Sequence, residues 1–190
     1  GSHCIGGFSE NFSRQKYFCR YCLVSQKVFR EKPLKVSQKR TVENYKETVE
    51  KIEPGGILKG IKFDSLFNSL KFYHVCMPGL PPCLGHDLFE GVVAWDVMLF
   101  VKYWIKKKFF SLTYLNGKIS SFQYLGSDAN NKPTLKVNGD KLSGHAVQNW
   151  CLIRLLPLLL AHNIGKMKED RVWHLFLALR EIVEMVCAPQ

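Results

Sequence analysis

The sequence predicts a mainly α-helical protein with little β-structure. Several segments repeat apolar residues at helical spacing, residues that favour helix starts precede them, and short Pro- and Gly-containing stretches separate them. The chain has 190 residues, of which 46% are apolar. This length and composition favour one domain, or one domain with an appendage, built on a sizeable core.

The first clear helix follows Thr41, a residue that favours the N-cap position. Apolar residues then recur on one face, with acidic and basic residues on the other: Val42, Tyr45, Val49 and Ile52 form the apolar face. Pro54, Gly55 and Gly56 end the pattern. An amphipathic surface helix is therefore expected here, followed by a short helix near residues 64–70.

The second half of the sequence alternates long apolar runs with short breaks. A helix that is apolar over most of its circumference, and so largely buried, is expected from Leu88, with Lys106, Lys107 and Lys108 at its C-terminal end. Further predictions, in chain order, are a helix from Ser111 to about Tyr124, a short strand over 134–137, and a helix that Ser143 caps and Pro157 kinks or ends. A last helix is expected over 169–186, with five residues facing inward: Val172, Phe176, Leu179, Val183 and Val186.

Residues 1–40 differ in composition from the rest of the chain. They carry a Cys-x-x-Cys pair, many cations and few long apolar runs, whereas residues 41–190 carry the helical pattern. We therefore expect a small N-terminal segment, resembling a zinc knuckle and followed by a basic stretch, attached to a helical body.

The formal net charge of +11 favours a polyanionic partner. Nucleic acid is favoured over a membrane, because no basic amphipathic helix dominates and no apolar stretch reaches the roughly 20 residues of a membrane span. The most basic stretch supplies the candidate DNA-binding residues: Lys27, Arg30, Lys32, Lys35, Lys39 and Arg40. A solvated surface loop is the alternative for this stretch. A DNA partner would imply a nuclear location.

The seven cysteines are odd in number and unevenly spaced, which favours a reducing compartment and metal binding over a disulfide framework. Two residues separate Cys19 from Cys22, as in zinc knuckles, and the same number separates Cys83 from His86. Together the four predict a structural zinc site of three cysteines and one histidine. His74, Cys76 and His145 remain alternative ligands, and cysteines packed as small apolar residues remain the alternative to metal.

The stretch 81–91 places Asp87 and Glu90 near the start of a predicted helix. Acidic residues there are favoured by the helix dipole, so capping alone would explain both. The adjacent His86 and Asp87 also resemble the histidine-aspartate doublet of metal-dependent phosphohydrolases. That alternative function requires further His or Asp ligands from other helices.

Four stretches, taken in order, resemble transposase-derived proteins abundant in tick and fish genomes. They are residues 1–8, residues 18–22, residues 81–91 and residues 148–157, and the resemblance covers most of the chain. These proteins are similar to DDE transposases with a ribonuclease H-like core, distantly related to the CACTA group. Such enzymes hold two Mg²⁺ or Mn²⁺ ions on three carboxylates. The ions activate water, and then a DNA 3′ hydroxyl, to attack a phosphodiester of DNA.

The resemblance implies that all three catalytic carboxylates lie outside this chain, which would be a helical insertion between the last two of them. The chain is then a fragment, inactive alone, that contacts transposon-end DNA or a sister subunit, with a homo-oligomer as a possible assembly. The family signatures map onto Cys19 and Cys22 and onto Cys83 and His86, with a further histidine pair expected beyond the chain. A domesticated, non-catalytic zinc module that binds nucleic acid or protein is the alternative.

Overall fold

The computed structural model describes residues 6–9, 16–32, 37–77 and 79–188. These residues form seven α-helices and no sheet, so the prediction of a mainly α-helical protein is confirmed. β-Pairing within the described ranges is limited to isolated bridges. The helices are α1 (Gln26–Glu31), α2 (Val42–Glu50), α3 (Val93–Lys106), α4 (Leu112–Ser121), α5 (Ala146–Leu159), α6 (Ile164–Met167) and α7 (Arg171–Cys187).

The chain divides into two compact units, Gly1–Pro81 and Pro82–Gln190. The sequence predicted a division after residue 40 instead, with α2 in the helical body. The structure groups α2 with the N-terminal unit because its Tyr45 is buried against Phe8, Ile61 and Val75 in a small core of their own. The amino-acid composition changes near residue 40, but the unit to which α2 belongs is decided by the residues that bury Tyr45.

Tyr45 is the centre of the N-terminal unit. Its hydroxyl lies 3.3 Å from the carbonyl oxygens of both Gly6 and Phe63 and accepts the backbone N–H of Ser65 at 3.2 Å. Burial raises the pKa of Tyr45 to about 12, so the hydroxyl keeps its proton at neutral pH. One side chain thus ties α2 to two loop segments, which are also joined to each other by the backbone N–H of Lys62 donating to Gly7 at 2.8 Å.

The C-terminal unit is built around Trp104 of α3. Its ring packs against Phe110 and, from α7, against Trp173 and Phe176. The inward positions predicted for the last helix are confirmed at Phe176, Leu179 and Val183, which are buried, whereas Val172 is only partly buried. The prediction for Val186 is wrong: it is 49% exposed, and Trp173 completes the buried face instead.

A wide helical turn, Leu84–Val92, precedes α3. It ends with a π-type hydrogen bond, in which the N–H of Val93 reaches back five residues to the carbonyl of Leu88. Gly91 departs from helical dihedral angles inside this turn, and a Cβ there would lie 3.0 Å from the carbonyl oxygen of His86. The regular helix α3 therefore begins at Val93, five residues later than its apolar pattern predicted.

The other helix starts show which local signals are sufficient. Thr41 caps α2 as predicted. Ser111, predicted as the start of the next helix, is the N-cap of α4, and each side chain accepts a backbone N–H from three residues ahead. Ser143 does not cap α5, whose N-cap is His145. The strand expected over residues 134–137 does not form: these residues have no strand conformation and make no β-bridge to another described residue.

Pro157 was predicted to kink or end α5. The helix instead continues through the proline and ends two residues after it, at Leu159. Arg154, the charged residue in the same apolar run, finds a partner in Asp128 at 2.7 Å and lies over the ring of Trp150. None of the helices in the described ranges combines the length and the apolar composition that crossing a bilayer requires.

Candidate functional site

Cys83 and His86, predicted as metal ligands, lie in contact at the start of the wide turn. The Cys83 Sγ is 3.2 Å from His86 Nδ1, and it also accepts the backbone N–H of His86 at 3.5 Å. The backbone N–H and the imidazole of His86 lower the pKa of Cys83, and the hydrogen bond with Cys83 raises the pKa of His86. The Cys-x-x-His spacing therefore brings the thiol and the imidazole into contact. Both side chains are exposed.

Asp87 and Glu90 bind backbone N–H groups at the starts of two helical segments. The Oδ2 of Asp87 accepts the N–H of Cys83 at 2.8 Å, in agreement with a capping role. The Oε1 of Glu90 accepts the N–H of Ala146 at 3.0 Å and therefore serves the first residue of α5 instead of its own turn. Helix capping therefore explains the positions of both Asp87 and Glu90.

Gln148 and Asn149 complete the junction between the wide turn and α5. The amide of Asn149 donates to the carbonyls of Phe89 at 3.1 Å and Gly144 at 3.0 Å. The Gln148 Oε1 accepts the N–H of His145 at 3.0 Å. Two of the stretches that carry the transposase resemblance, 81–91 and 148–157, are thus hydrogen-bonded to each other, a structural role that their sequence pattern did not reveal.

The Cys19 and Cys22 pair lies on a loop in the N-terminal unit. The Cys19 Sγ accepts the N–H of Tyr21 at 3.4 Å. Backbone hydrogen bonds close the loop against residues 38–40: Leu23 N–H donates to Gln38 at 2.8 Å and Arg40 N–H to Tyr21 at 2.9 Å. Burial and a hydrogen bond with Cys19 raise the pKa of Cys22. The two thiols are therefore held on one short, closed loop.

The predicted four-ligand zinc set is divided between the two compact units: Cys19 and Cys22 belong to residues 1–81, and Cys83 and His86 to residues 82–190. Over residues 6–9, 16–32, 37–77 and 79–188, no three His, Cys, Asp or Glu side chains form a group that could hold a metal ion. Each pair supplies half of the four ligands that structural zinc requires.

The predicted DNA-binding cations fall into two groups. Lys27, Arg30, Lys32 and Lys39 are exposed, the first two on α1, whereas Lys35 lies outside the described residues. Arg40 is only 5% exposed and donates to the carbonyls of Cys19 at 2.8 Å and Lys59 at 2.7 Å. It holds the N-terminal unit together and does not offer its guanidinium to a phosphate. Counting charges along the sequence does not reveal this, because burial depends on contacts with distant residues.

A cleft of about 300 Å³ lies beside the exposed cations, lined among the described residues by Phe18, Gln26, Phe29 and Arg30. The Phe18 and Phe29 rings meet edge to face, with centroids 5.2 Å apart. The sequence-based predictions assigned no role to Phe18 or Phe29. The available signal is that each phenylalanine directly adjoins a residue predicted to be functional, Phe18 next to Cys19 and Phe29 next to Arg30.

The chain was compared with protein-family models, curated proteins and solved structures, and none of them matches it. The transposase resemblance therefore remains a prediction carried by its four ordered sequence stretches.

Proposed function

We propose that this chain is a helical, non-catalytic region of a DDE transposase-derived protein, and that its N-terminal unit binds the DNA backbone. One observation carries the DNA-binding part. Within residues 16–32 and 37–40, five exposed cations accompany a single exposed acid, Glu31; the cations are Lys16, Lys27, Arg30, Lys32 and Lys39.

The distribution of the buried arginines supports this assignment. Arg20 and Arg40 have their guanidinium groups in the unit's interior, where Arg20 donates to Pro81 at 3.4 Å and Arg40 to Cys19 and Lys59. The exposed cations have no comparable burial, so they can approach phosphate without unfolding the unit. Phosphate contacts of this kind release counterions and make binding salt-dependent but largely independent of base sequence.

The non-catalytic part is supported by Asp87 and Glu90. Both carboxylates accept backbone N–H groups, which gives each of them a structural role. The resemblance places the catalytic carboxylates of an intact transposase outside this chain, so its Mg²⁺ or Mn²⁺ chemistry does not require Asp87 or Glu90. A metal-dependent phosphohydrolase built on His86 and Asp87 is the alternative function.

Zinc is proposed as a structural component of the N-terminal unit, with Cys19 and Cys22 as its first ligands. The N–H to sulfur hydrogen bond at Cys19 and the closed loop support this, and further ligands must complete the site. The pair Cys83 and His86 is the second choice. Metal analysis of purified protein should find zinc that the double variant C19S/C22S loses and the control C187S retains. Equal zinc content in all three would contradict the assignment.

The DNA-binding proposal is tested by fluorescence anisotropy with a labelled duplex of random sequence, in a salt series from about 50 to 200 mM. The variant K27Q/R30Q/K32Q should bind more weakly, and the slope of log affinity against log salt should fall by up to about 2.7 if all three contact phosphate. The matched control K166Q/K168Q/R171Q also removes two exposed lysines and one exposed arginine within six residues. Equal effects of the two triple variants would reject the proposed surface.

The absence of catalysis is tested separately. The chain, incubated with Mg²⁺ or Mn²⁺ and the same duplex, should leave the DNA intact. Metal-dependent nicking that survives further purification, and that E90Q or D87N abolishes, would contradict the non-catalytic assignment.

A further inference from the structure

The cleft beside the exposed cations is lined in part by aromatic side chains, which phosphate binding does not require. Phe18 and Phe29 both line the cleft, and Phe29 is 47% exposed, a large exposed fraction for a phenylalanine. Arg30, from the next position on α1, also lines the cleft. An apolar recess bordered by a cation suits a ligand with a flat apolar face and a nearby negative charge.

We propose that this cleft, defined by Phe18, Gln26, Phe29 and Arg30, binds an unpaired nucleobase, so that the N-terminal unit prefers single-stranded DNA to duplex DNA. The inference rests on the proposed DNA-binding function and deepens it. In a duplex the base faces are stacked on their neighbours and unavailable to a protein side chain. An unpaired base exposes a face that an aromatic ring can cover.

The size and surroundings of the cleft fit this occupant. Its volume of about 300 Å³ lies at the lower end of the range for small-ligand pockets, roughly 300–1,000 Å³. Lys27 and Lys32 lie on and just after the same short helix as Phe29, and both are exposed. A phosphate beside a bound base would meet Arg30, which lines the cleft itself, and an aromatic face beside cations is the combination that single-strand-binding proteins use.

The experiment compares a labelled oligothymidine with a duplex of equal length, each titrated with the full chain and measured by anisotropy. F29A should weaken single-strand binding by about 5- to 150-fold, the range expected for loss of one base-stacking contact. Duplex binding should be unchanged, and F29W should keep the single-strand affinity. Circular dichroism of each variant verifies that the fold is retained.

F72A is the matched control, because the N-terminal unit offers a second exposed phenylalanine outside the cleft. Phe72 is 85% exposed and has Lys71 Nζ 5.1 Å from its ring centroid, so it too combines an aromatic face with a cation. F72A should leave binding of both DNAs unchanged. If F72A and F29A weaken single-strand binding equally, a general aromatic effect is responsible and the cleft assignment is wrong.

The failures of the two proposals are distinguishable. If the chain binds both DNAs with equal affinity and F29A changes neither, the cleft inference is overturned while the phosphate-binding surface stands. If F29A weakens both DNAs equally, or if the cleft binds an acidic peptide more tightly than the oligothymidine, the inference is also overturned. Failure to bind either DNA would overturn the proposed function itself.

Discussion

The carboxylate of Glu90 accepts a hydrogen bond from the backbone N–H of Ala146, at 3.0 Å across 56 residues of sequence. The contact places a negative charge at the start of α5, where the helix dipole and the free N–H groups favour it. Asn149 reinforces the same junction by donating to Phe89. The wide turn and α5 are therefore joined by polar contacts beside the buried apolar core.

Replacing Glu90 with alanine should lower the free energy of unfolding by about 1–2 kcal/mol, because α5 loses both a charge-assisted hydrogen bond and a favourable charge at its N-terminus. Urea denaturation followed by circular dichroism measures the loss. The control is E181A, which removes an exposed acid from α7 and should change stability by less than about 0.5 kcal/mol. Equal destabilisation by the two variants would contradict a capping role for Glu90.

Gly7 should tolerate no side chain. Its φ is +75°, and a Cβ would lie 2.2 Å from the carbonyl oxygen of Phe63. Gly55 has nearly the same φ, +76°, but open space around it. G55A should therefore cost only the conformational strain, about 1–2 kcal/mol, whereas G7A should cost distinctly more. Limited proteolysis of the N-terminal unit compares them, and a G7A protein as resistant as G55A would show that the backbone at Phe63 relaxes freely.

Arg40 should act on stability and its neighbour Lys39 on DNA binding. R40A removes a buried guanidinium and leaves the carbonyls of Cys19 and Lys59 without its two hydrogen bonds. The free energy of unfolding should fall by about 3 kcal/mol or more. K39A, at an exposed position, should leave stability within about 0.5 kcal/mol of the parent and weaken duplex binding. Thermal unfolding and anisotropy on the same samples separate the two effects. A stable R40A protein would contradict the structural role.

His74 should make the N-terminal unit sensitive to mild acid. It is buried edge-on against Tyr45, its Nδ1 accepts the N–H of Cys76 at 3.1 Å, and its Nε2 has no hydrogen-bond partner among the described residues. Burial lowers the pKa of His74, a shift that Asp64 partly offsets.

Because the folded state binds the His74 proton less tightly than the unfolded chain, the contribution of His74 to stability should be constant above the ordinary histidine pKa of about 6.5 and fall as pH drops below it. Denaturant unfolding at a series of pH values measures the slope. The variant H74F, which keeps an aromatic ring beside Tyr45, should lose that slope. An unchanged slope in H74F would assign the acid sensitivity to another group.

The sequence predicted those features whose causes lie within a few residues. The caps at Thr41 and Ser111 are hydrogen bonds to a backbone N–H three residues ahead, so composition and spacing sufficed. The contact between Cys83 and His86 is equally local. The start of α5 was predicted wrongly because the acid that serves its first N–H is Glu90, far away in sequence.

The sequence by itself determined the helical class of the protein, the starts of α2 and α4 and the excess of cations near its N-terminus. These follow from periodicity, capping chemistry and composition, all of which are properties of short segments. Only the tertiary structure decided that α2 belongs with the N-terminal unit, that Arg40 is buried while Lys39 is exposed, and that Phe18 meets Phe29 beside Arg30. Burial and side-chain contact depend on which distant segments pack together, and that packing is chosen by the whole chain.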